Sequence, residues 1–373
     1  MVADSELQRI ARLTPLADVL SSFDIGVGPV EPREETIANA LGKTLAADVA
    51  AAASHPKFAL ALRDGYAVRA DATTDATSYT PLSLSPAPPR IGTGERMPAD
   101  TDAVAAFDAV STQGKTMQAL ATVAPGEGVL PAGADATPGV ILKMTGARLR
   151  RIDVAALLAL GIDRVPIREP RLRVVRAGGG EIIGAAASLI ASAIEAEGGV
   201  ASMKADTLEA ALNDGGAQDF DAVVAIGGTG SGANDKSVRT LERAGKVAFH
   251  GIGITPGETT AFGYVGARPV LLLPGRLDAA LAGWLTVGRR MLARLAFRLI
   301  EEQPFSAELS KKVASPLGLA EVVPMRRRGF RVEPLASHYL PVQALTRADG
   351  WILVPADSEG YQAGASVPVR PWP

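Results

Sequence analysis

The sequence contains no cysteine and only three histidines, and these scarcities exclude whole classes of chemistry. Without thiols the chain can form no disulfide, no zinc–thiolate or iron–sulfur site and no cysteine nucleophile. His55, His250 and His338 lie far apart in the sequence and are too few for a histidine-built metal centre. Composition therefore narrows the function mostly by exclusion.

An excess of charge of one sign and a long apolar run are also missing. The 38 Lys and Arg residues oppose 40 Asp and Glu residues, so no basic excess favours a nucleic-acid partner. The longest apolar candidate, residues 154–162, falls short of the ~18 residues that a membrane span needs. Charges at the N-terminus argue against a signal peptide. We therefore expect a cytoplasmic protein with no membrane or nucleic-acid partner.

The pattern along the 373 residues predicts several domains. Residues 1–45 predict two helical pieces, the second over 34–42 with a C-cap at Gly42. Residues 46–139 carry short apolar runs broken by Pro and Gly, which predict a small β-rich unit. Residues 140–165 return to a helical pattern, so the β-rich unit resembles an insertion between helical pieces.

The second half of the chain alternates apolar strands with helices up to about residue 304, and a β-like segment follows it. Such alternation is typical of a mostly parallel α/β sheet. The predicted strands are 172–175, 221–226 and 269–273, and the predicted helices are 185–197, 235–244 and 277–299.

The most informative motif runs from an apolar strand through a glycine-rich turn towards a helix, over residues 221–235. Glycines let a backbone approach a phosphate, and a helix N-terminus offers free N–H groups. Thr229 and Ser231 add hydroxyl donors, and Asp235 is placed to hold Mg²⁺ or to orient a substrate group. Neither standard phosphate-loop motif matches. A tight structural turn with Asp235 as a helix cap explains the pattern equally well, because α/β proteins use glycine turns freely.

Two further loops carry candidate residues. Pro274, Gly275 and Arg276 follow a strand of the same sheet, where ligands gather, although spacing alone favours a turn with a solvated arginine. In the β-rich unit, Asp64 precedes a glycine turn and Thr93 lies in another, and both have a structural interpretation as turn residues.

Taken in order, these motifs resemble those of the molybdopterin molybdenumtransferase family, which comprises MoeA in bacteria and the E domain of gephyrin in animals. Residues 62–69 are similar to A-M-D-G-Y-A-V-R, and residues 93–104 to T-G-A-P-L-P-E-G-A-D-A-V. Residues 227–235 resemble G-G-V-S-V-G-x-x-D, residues 255–263 resemble K-P-G-K-P-x-x-F-G, and residues 273–275 begin like L-P-G-N-P. The resemblance covers nearly the whole chain.

The resemblance implies an α/β multidomain fold, MoeA-like and elongated. It comprises a molybdopterin-binding α/β three-layer domain, an inserted β-rich domain, a C-terminal β-barrel-like domain and a composite helical domain. It also implies a homodimer with the site between one subunit's α/β domain and the partner's inserted domain, and a molybdoenzyme client or another cofactor-biosynthesis protein as a further partner. The expected bounds are 1–45 plus 140–168 (helical), 46–139 (inserted), 169–304 (α/β) and 305–373 (C-terminal).

The reaction implied by the resemblance joins molybdate to adenylylated molybdopterin, with Mg²⁺, and releases molybdenum cofactor and AMP. Asp64, Thr93 and Asp235 would be catalytic, with Asp235 also the metal ligand. The implied substrate-binding residues are Asp206, Gly227, Gly228, Thr229, Gly230, Ser231, Gly232, Pro274, Gly275 and Arg276.

The chain also departs from the family pattern. The S-T-G-D-E-L segment with its catalytic Glu is missing after residues 173–176, and the two lysines of K-P-G-K-P are replaced by Thr255 and Glu258. Our leading hypothesis is a transferase of reduced or altered activity. The changes favour the alternative, a non-catalytic cofactor carrier. A scaffold that keeps only the architecture is the third alternative, and the retained Asp64, Thr93 and Asp235 argue against it.

Overall fold

The computed structural model describes residues 8–114, 116–204, 207–213, 220–298 and 304–373. The chain divides into two compact units. The smaller comprises Asp48–Met144 with Ala159–Gly161, and the larger comprises the rest of the chain. Among the described residues, no helix is both long and apolar enough to cross a membrane.

The smaller unit is built from short antiparallel strands, as the Pro- and Gly-broken apolar runs predict. Its core consists of small and branched side chains, among them Val68, Leu84 and Ala103. One three-stranded sheet consists of Leu82–Leu84, Thr116–Ala119 and Val110–Gln113, and a second consists of Arg90–Ile91, Gly65–Val68 and Ala103–Ala105. Two further ladders pair Val129–Leu130 with Leu60–Ala61 and Ile141–Lys143 with Val49–Ala50.

A six-stranded sheet forms the centre of the larger unit. The first three pairings along the sheet are parallel and the last two are antiparallel. The parallel part confirms the α/β prediction, whereas the antiparallel edge formed by Ala261–Val265 and Lys246–His250 was not predicted. In order, the strands are Val200–Ser202, Arg171–Arg176, Ala222–Ile226, Arg268–Leu273, Ala261–Val265 and Lys246–His250.

Helices cover both faces of this sheet, because alternate strand residues point to opposite sides. Val223 and Ala225 join one hydrophobic core, and Val224 and Ile226 join the other. The result is the three-layer domain that was expected. The first face is covered by the helices Leu208–Asn213 and Ser237–Ala244. The second face is covered by Glu181–Ala196, by Leu16–Gly26 and by a continuous run of Leu277–Gly283, the π-helical Trp284–Gly288 and Arg289–Leu295.

The C-terminal region forms the β-barrel that the resemblance implies. Five strands pair one after another around the barrel, in an order that differs from their order along the chain. The barrel closes because Gly350–Val354 pairs with both Ser366–Pro371 and Ala320–Arg328. The other two barrel strands are Arg331–Pro334 and Phe305–Leu309. The remaining elements here are the strands Ile254–Thr255, Val313–Ala314 and Gly360–Tyr361 and the helix Val342–Leu345.

The predicted helix over residues 34–42 is wrong. Arg33–Thr36 is a strand paired with Arg164–Arg168, which also pairs with Thr44–Leu45. Gly42 has a φ of +77° in the intervening turn rather than at a helix end. In residues 140–165, helix is confined to Arg151–Ala159. Pairing to a distant strand therefore overrides the local helical pattern, which carries no information about that partner.

Candidate functional site

Three loops meet at the carboxyl ends of three adjacent parallel strands. The Ala177 N–H donates to the Ile226 carbonyl at 2.9 Å, and the Gly227 N–H donates to the Leu273 carbonyl at 2.8 Å. These bonds continue the ladder past the strand ends. Residues 177–180, the glycine loop (residues 227–235) and residues 274–276 therefore lie side by side, at the edge where open α/β sheets bind ligands.

One apolar side chain explains why glycines occupy these loops. Ile183, in the first turn of Glu181–Ala196, reaches across the junction with its Cδ1 atom. A Cβ atom would lie 2.9 Å from it at Gly178, 3.1 Å at Gly227 and 3.4 Å at Gly275. Gly227 also has a φ of +102°, which side chains rarely tolerate. The glycine pattern that predicted phosphate binding thus has a packing role as well.

The carbonyl groups of the glycine loop are held by the protein. The Ser237 hydroxyl donates to the Gly227 carbonyl at 2.8 Å, and the Ser237 N–H donates to the Gly228 carbonyl at 3.0 Å. Gln8 is 5% exposed, and its Nε2 donates to the carbonyls of Gly228 and Gly230, both at 2.7 Å. The loop is therefore braced in one shape before any ligand arrives. Sequence analysis missed Gln8, since no local motif marks it.

Thr229 points into the protein rather than to the surface. Its hydroxyl is 2.8 Å from the Thr259 hydroxyl, and the residue is 2% exposed. Nε2 of His250 donates to the Thr229 carbonyl at 3.0 Å. Ser231, in contrast, is exposed. Of the two predicted hydroxyl donors, Ser231 is the one that faces solvent.

Asp235 closes the glycine loop. Its Oδ2 accepts the Gly232 N–H at 2.9 Å, and its own N–H donates to the Gly232 carbonyl at 3.0 Å. The following helix starts at Ser237 and has no side-chain cap, so Asp235 stabilises the turn and does not cap the helix. A Cβ atom at Gly230 would lie 2.7 Å from Oδ2, which leaves no room for another residue there.

Arg276 is bound to a neighbouring carboxylate. Its Nε and one terminal nitrogen donate to the two oxygens of Asp278, at 3.1 and 2.5 Å, and these hydrogen bonds raise the pKa of Arg276. The guanidinium also lies over the Tyr339 ring, 5.2 Å from its centroid. The side chain remains 58% exposed beside the buried Pro274, so one guanidinium face is open to solvent.

Asp64 and Thr93 meet in the smaller unit. Gly65–Val68 pairs with Arg90–Ile91 with Gly65 opposite Ile91, so Asp64 precedes one strand and Thr93 follows the other. Oδ1 of Asp64 accepts the Thr93 N–H at 2.7 Å and the Thr93 hydroxyl at 2.9 Å. These hydrogen bonds lower the pKa of Asp64. The exposed carboxylate is therefore ionised and oriented.

Two predicted site features stay outside this arrangement. Asp206 lies outside the described residues. No group of three or more His, Asp or Glu side chains that could hold a metal ion occurs in the described part of the chain. Between the strand Arg171–Arg176 and the helix Glu181–Ala196 only residues 177–180 intervene, so the missing S-T-G-D-E-L segment is not replaced by another loop.

A three-layer α/β domain with a braced glycine loop, an inserted β-rich unit and a closed C-terminal barrel define a protein of the MoeA type. Family models agree along the chain: the MoeA N-terminal region (domains I and II) matches residues 4–161 and the MoeA C-terminal region (domain IV) matches 306–372. A model described as a probable molybdopterin binding domain matches 180–294. The chain belongs to the MoeA family of molybdenum cofactor biosynthesis, as a divergent member.

Relatives are similar over most of their length but distant in sequence. Molybdopterin molybdenumtransferase 2 of Mycobacterium tuberculosis is 26% identical, over 89% of this chain and 93% of that protein. The molybdopterin molybdenumtransferase of Bacillus subtilis is also 26% identical, over 89% of this chain and 87% of that protein. A crystal structure of a molybdopterin biosynthesis MoeA protein from Pyrococcus horikoshii is 26% identical, with a TM-score of 0.76 over 97% of this chain and 100% of that chain.

Proposed function

We propose that this protein is a molybdopterin molybdenumtransferase that joins molybdate to adenylylated molybdopterin and releases AMP, acting in the cytoplasm as a homodimer. The observation that carries the proposal is the glycine loop, which is held open at the carboxyl edge of the sheet by Gln8, Ser237 and Asp235. The names of the relatives supply the substrate class.

The backbone of the glycine loop would bind the phosphate groups of the substrate. In the described hydrogen bonds, the amide groups of Gly230 and Ser231 donate to no protein acceptor. Because Gln8 and Ser237 hold the carbonyl groups of the loop by hydrogen bonds, these two amides require no rearrangement when an anion binds. Fixed N–H donors of this kind stabilise charge that develops on a departing phosphate.

Asp235 would supply the protein's ligand to Mg²⁺. Asp235 is the carboxylate within the loop, and no group of three or more metal-binding side chains surrounds it among the described residues. This suits Mg²⁺, since that ion usually takes one or two carboxylates and completes its shell with substrate phosphates and water. When bound, Mg²⁺ would neutralise phosphate charge. Asp235 itself orients the loop through Gly232, whatever the occupancy of the metal.

A titration and an AMP-release assay test the proposal. The full chain is titrated calorimetrically with molybdopterin and with adenylylated molybdopterin, and AMP is measured with and without Mg²⁺ and molybdate. Binding followed by AMP release that depends on both ions supports the transferase. Failure to bind either ligand overturns it.

A cofactor carrier is the second candidate, and the short loop 177–180 favours it. This loop stands where the family carries its catalytic Glu, and Glu258 adds a negative charge to another loop of the domain. A carrier would bind molybdopterin tightly and release no AMP from the adenylylated form. The same assay therefore separates the two functions.

A further inference from the structure

A cavity of about 350 Å³ opens next to the glycine loop, and its charged side chains have no role in the site described above. It lies between the end of the strand Arg171–Arg176 and the start of the helices Leu208–Asn213 and Ser237–Ala244. The side chains that give it chemical character are Arg176, Lys236, Thr207 and Glu209.

Two cations line this cavity. Arg176 is the last residue of its strand and Lys236 directly precedes its helix; both are exposed, and neither makes an ion pair or side-chain hydrogen bond within the described residues. Other arginines of this unit are neutralised, such as Arg276 by Asp278 and Arg298 by Glu197. The positive charges of Arg176 and Lys236 are therefore not balanced by an ion pair within the described residues.

The cavity adjoins the glycine loop through shared residues. Ser237 lines the cavity and also holds the carbonyls of Gly227 and Gly228. Gly178 lines it too and packs against Ile183 at the junction of the three loops. A ligand on the amides of the glycine loop could therefore extend one charged group into the cavity.

The remaining polar groups leave a net attraction for anions. Among the described lining residues, Glu209 is the one carboxylate, and it is opposed by two cations. The Thr207 hydroxyl accepts the Ala210 N–H at 3.2 Å, so its proton is free to donate into the cavity. Elsewhere along the edge Arg276 is engaged by Asp278, whereas Arg176 and Lys236 make no such ion pair within the described residues.

We propose that this cavity is a phosphate subsite in which Arg176 and Lys236 bind a phosphate group of the substrate. The inference rests on the proposed function, because it assigns one part of the same ligand. The shared chemistry is a phosphate ester, whose source is either the terminal phosphate of molybdopterin or the nucleotide phosphate of its adenylylated form. Arginine and lysine are the side chains that recognise such groups.

Calorimetric titrations of the full chain with molybdopterin, AMP and inorganic phosphate test the proposal. Arg176→Gln and Lys236→Gln are each expected to weaken the phosphate ester's binding about fivefold, the effect of one exposed charge contact. Arg243→Gln is the matched control, since it removes an exposed arginine from the far end of the helix Ser237–Ala244 without touching the cavity. The control should bind like the unchanged protein.

Each outcome of these titrations either supports or overturns the proposed subsite. Weaker binding of molybdopterin by the two variants supports the subsite and assigns it to the pterin phosphate, and weaker binding of AMP supports it and assigns the nucleotide phosphate. Unchanged affinity for both overturns the subsite while the proposed function stands. Loss confined to inorganic phosphate also overturns it. If the unchanged protein binds none of the three probes, the subsite is overturned, and the proposed function is decided separately by the titration with adenylylated molybdopterin.

Discussion

Asp235 is the residue on which turn geometry and proposed chemistry coincide. Its Oδ2 is fixed by the Gly232 N–H, and the missing Cβ atoms at Gly230 and Gly232 make the space for it. An Asn side chain has the same shape and can still accept that hydrogen bond, but it carries no charge. The substitution therefore separates the structural role of the side chain from its electrostatic role.

Asp235→Asn is expected to lower AMP release by roughly a hundredfold or more, the order of effect seen when one electrostatic contribution to a transition state is removed, because the variant loses the charged ligand to Mg²⁺. The free energy of unfolding should change by less than about 1 kcal/mol, because the turn keeps its hydrogen bond. Activity and urea denaturation are measured on the same preparations. Asp163→Asn, at an exposed position, is the control. Full activity in Asp235→Asn would contradict its role in the reaction.

The Asp64–Thr93 pair makes a prediction about protonation. The two hydrogen bonds from Thr93 lower the pKa of Asp64 from its ordinary value of 3.8. The ionised form is favoured only in the folded state, so any stabilisation is present above that value and is lost as the pH falls through the lower folded pKa. In Thr93→Val the pKa should rise, and in Thr93→Ser, which keeps the hydroxyl, it should not.

A carbon-13 NMR titration of labelled aspartate carboxyl groups measures this pKa directly. Equal values in the Val and Ser variants would show that the hydroxyl does not contribute. A consequence for function follows, since a carboxyl group whose pKa is lowered is ionised near neutrality and cannot act as a general acid there. Asp64 would then bind or orient the substrate by charge.

At the scale of elements, the junction of the three loops depends on backbone shape as much as on space. Gly227→Ala is expected to destabilise the protein by about 1–3 kcal/mol, since φ is +102° and a Cβ atom would press on Ile183. Gly275→Ala is the comparison: its nearest neighbours would be 3.4 Å away and its φ is not in the left-handed region. Urea denaturation should separate the two, and an equal loss would refute the role of φ.

Sequence patterns predicted the elements of the α/β domain because its strands are short, buried and apolar. The strand Ala222–Ile226 and the helix Glu181–Ala196 fall close to their predicted positions. The antiparallel edge strand Lys246–His250 was missed because it is only partly buried and shows no clear alternation. The segment Arg33–Thr36 was misread because its strand partner lies more than 120 residues away.

The site was predictable only where its signal is local. Motifs marked the glycine loop, Asp64 and Thr93 as candidates. In the structure, Asp64 and Thr93 are in hydrogen-bond contact. Gln8 braces the loop from 220 residues away, and the Thr229–Thr259 contact joins two loops. Such contacts arise from tertiary packing, which a single sequence does not record.

At the scale of the whole molecule, the proposed homodimer predicts complementation between inactive chains. If the site combines Asp64 of one subunit with Asp235 of the other, a heterodimer of Asp64→Ala and Asp235→Asn chains has one site with both carboxylates and one site with neither. Random exchange of subunits makes about half of the dimers mixed, so activity should return to about a quarter of the unchanged protein's value. The two variants are unfolded and refolded together, and AMP release is compared with that of each variant refolded alone. A mixture no more active than its parts would place both carboxylates in a site within one subunit, or in no shared site, because only a shared site can be rebuilt by exchanging partners.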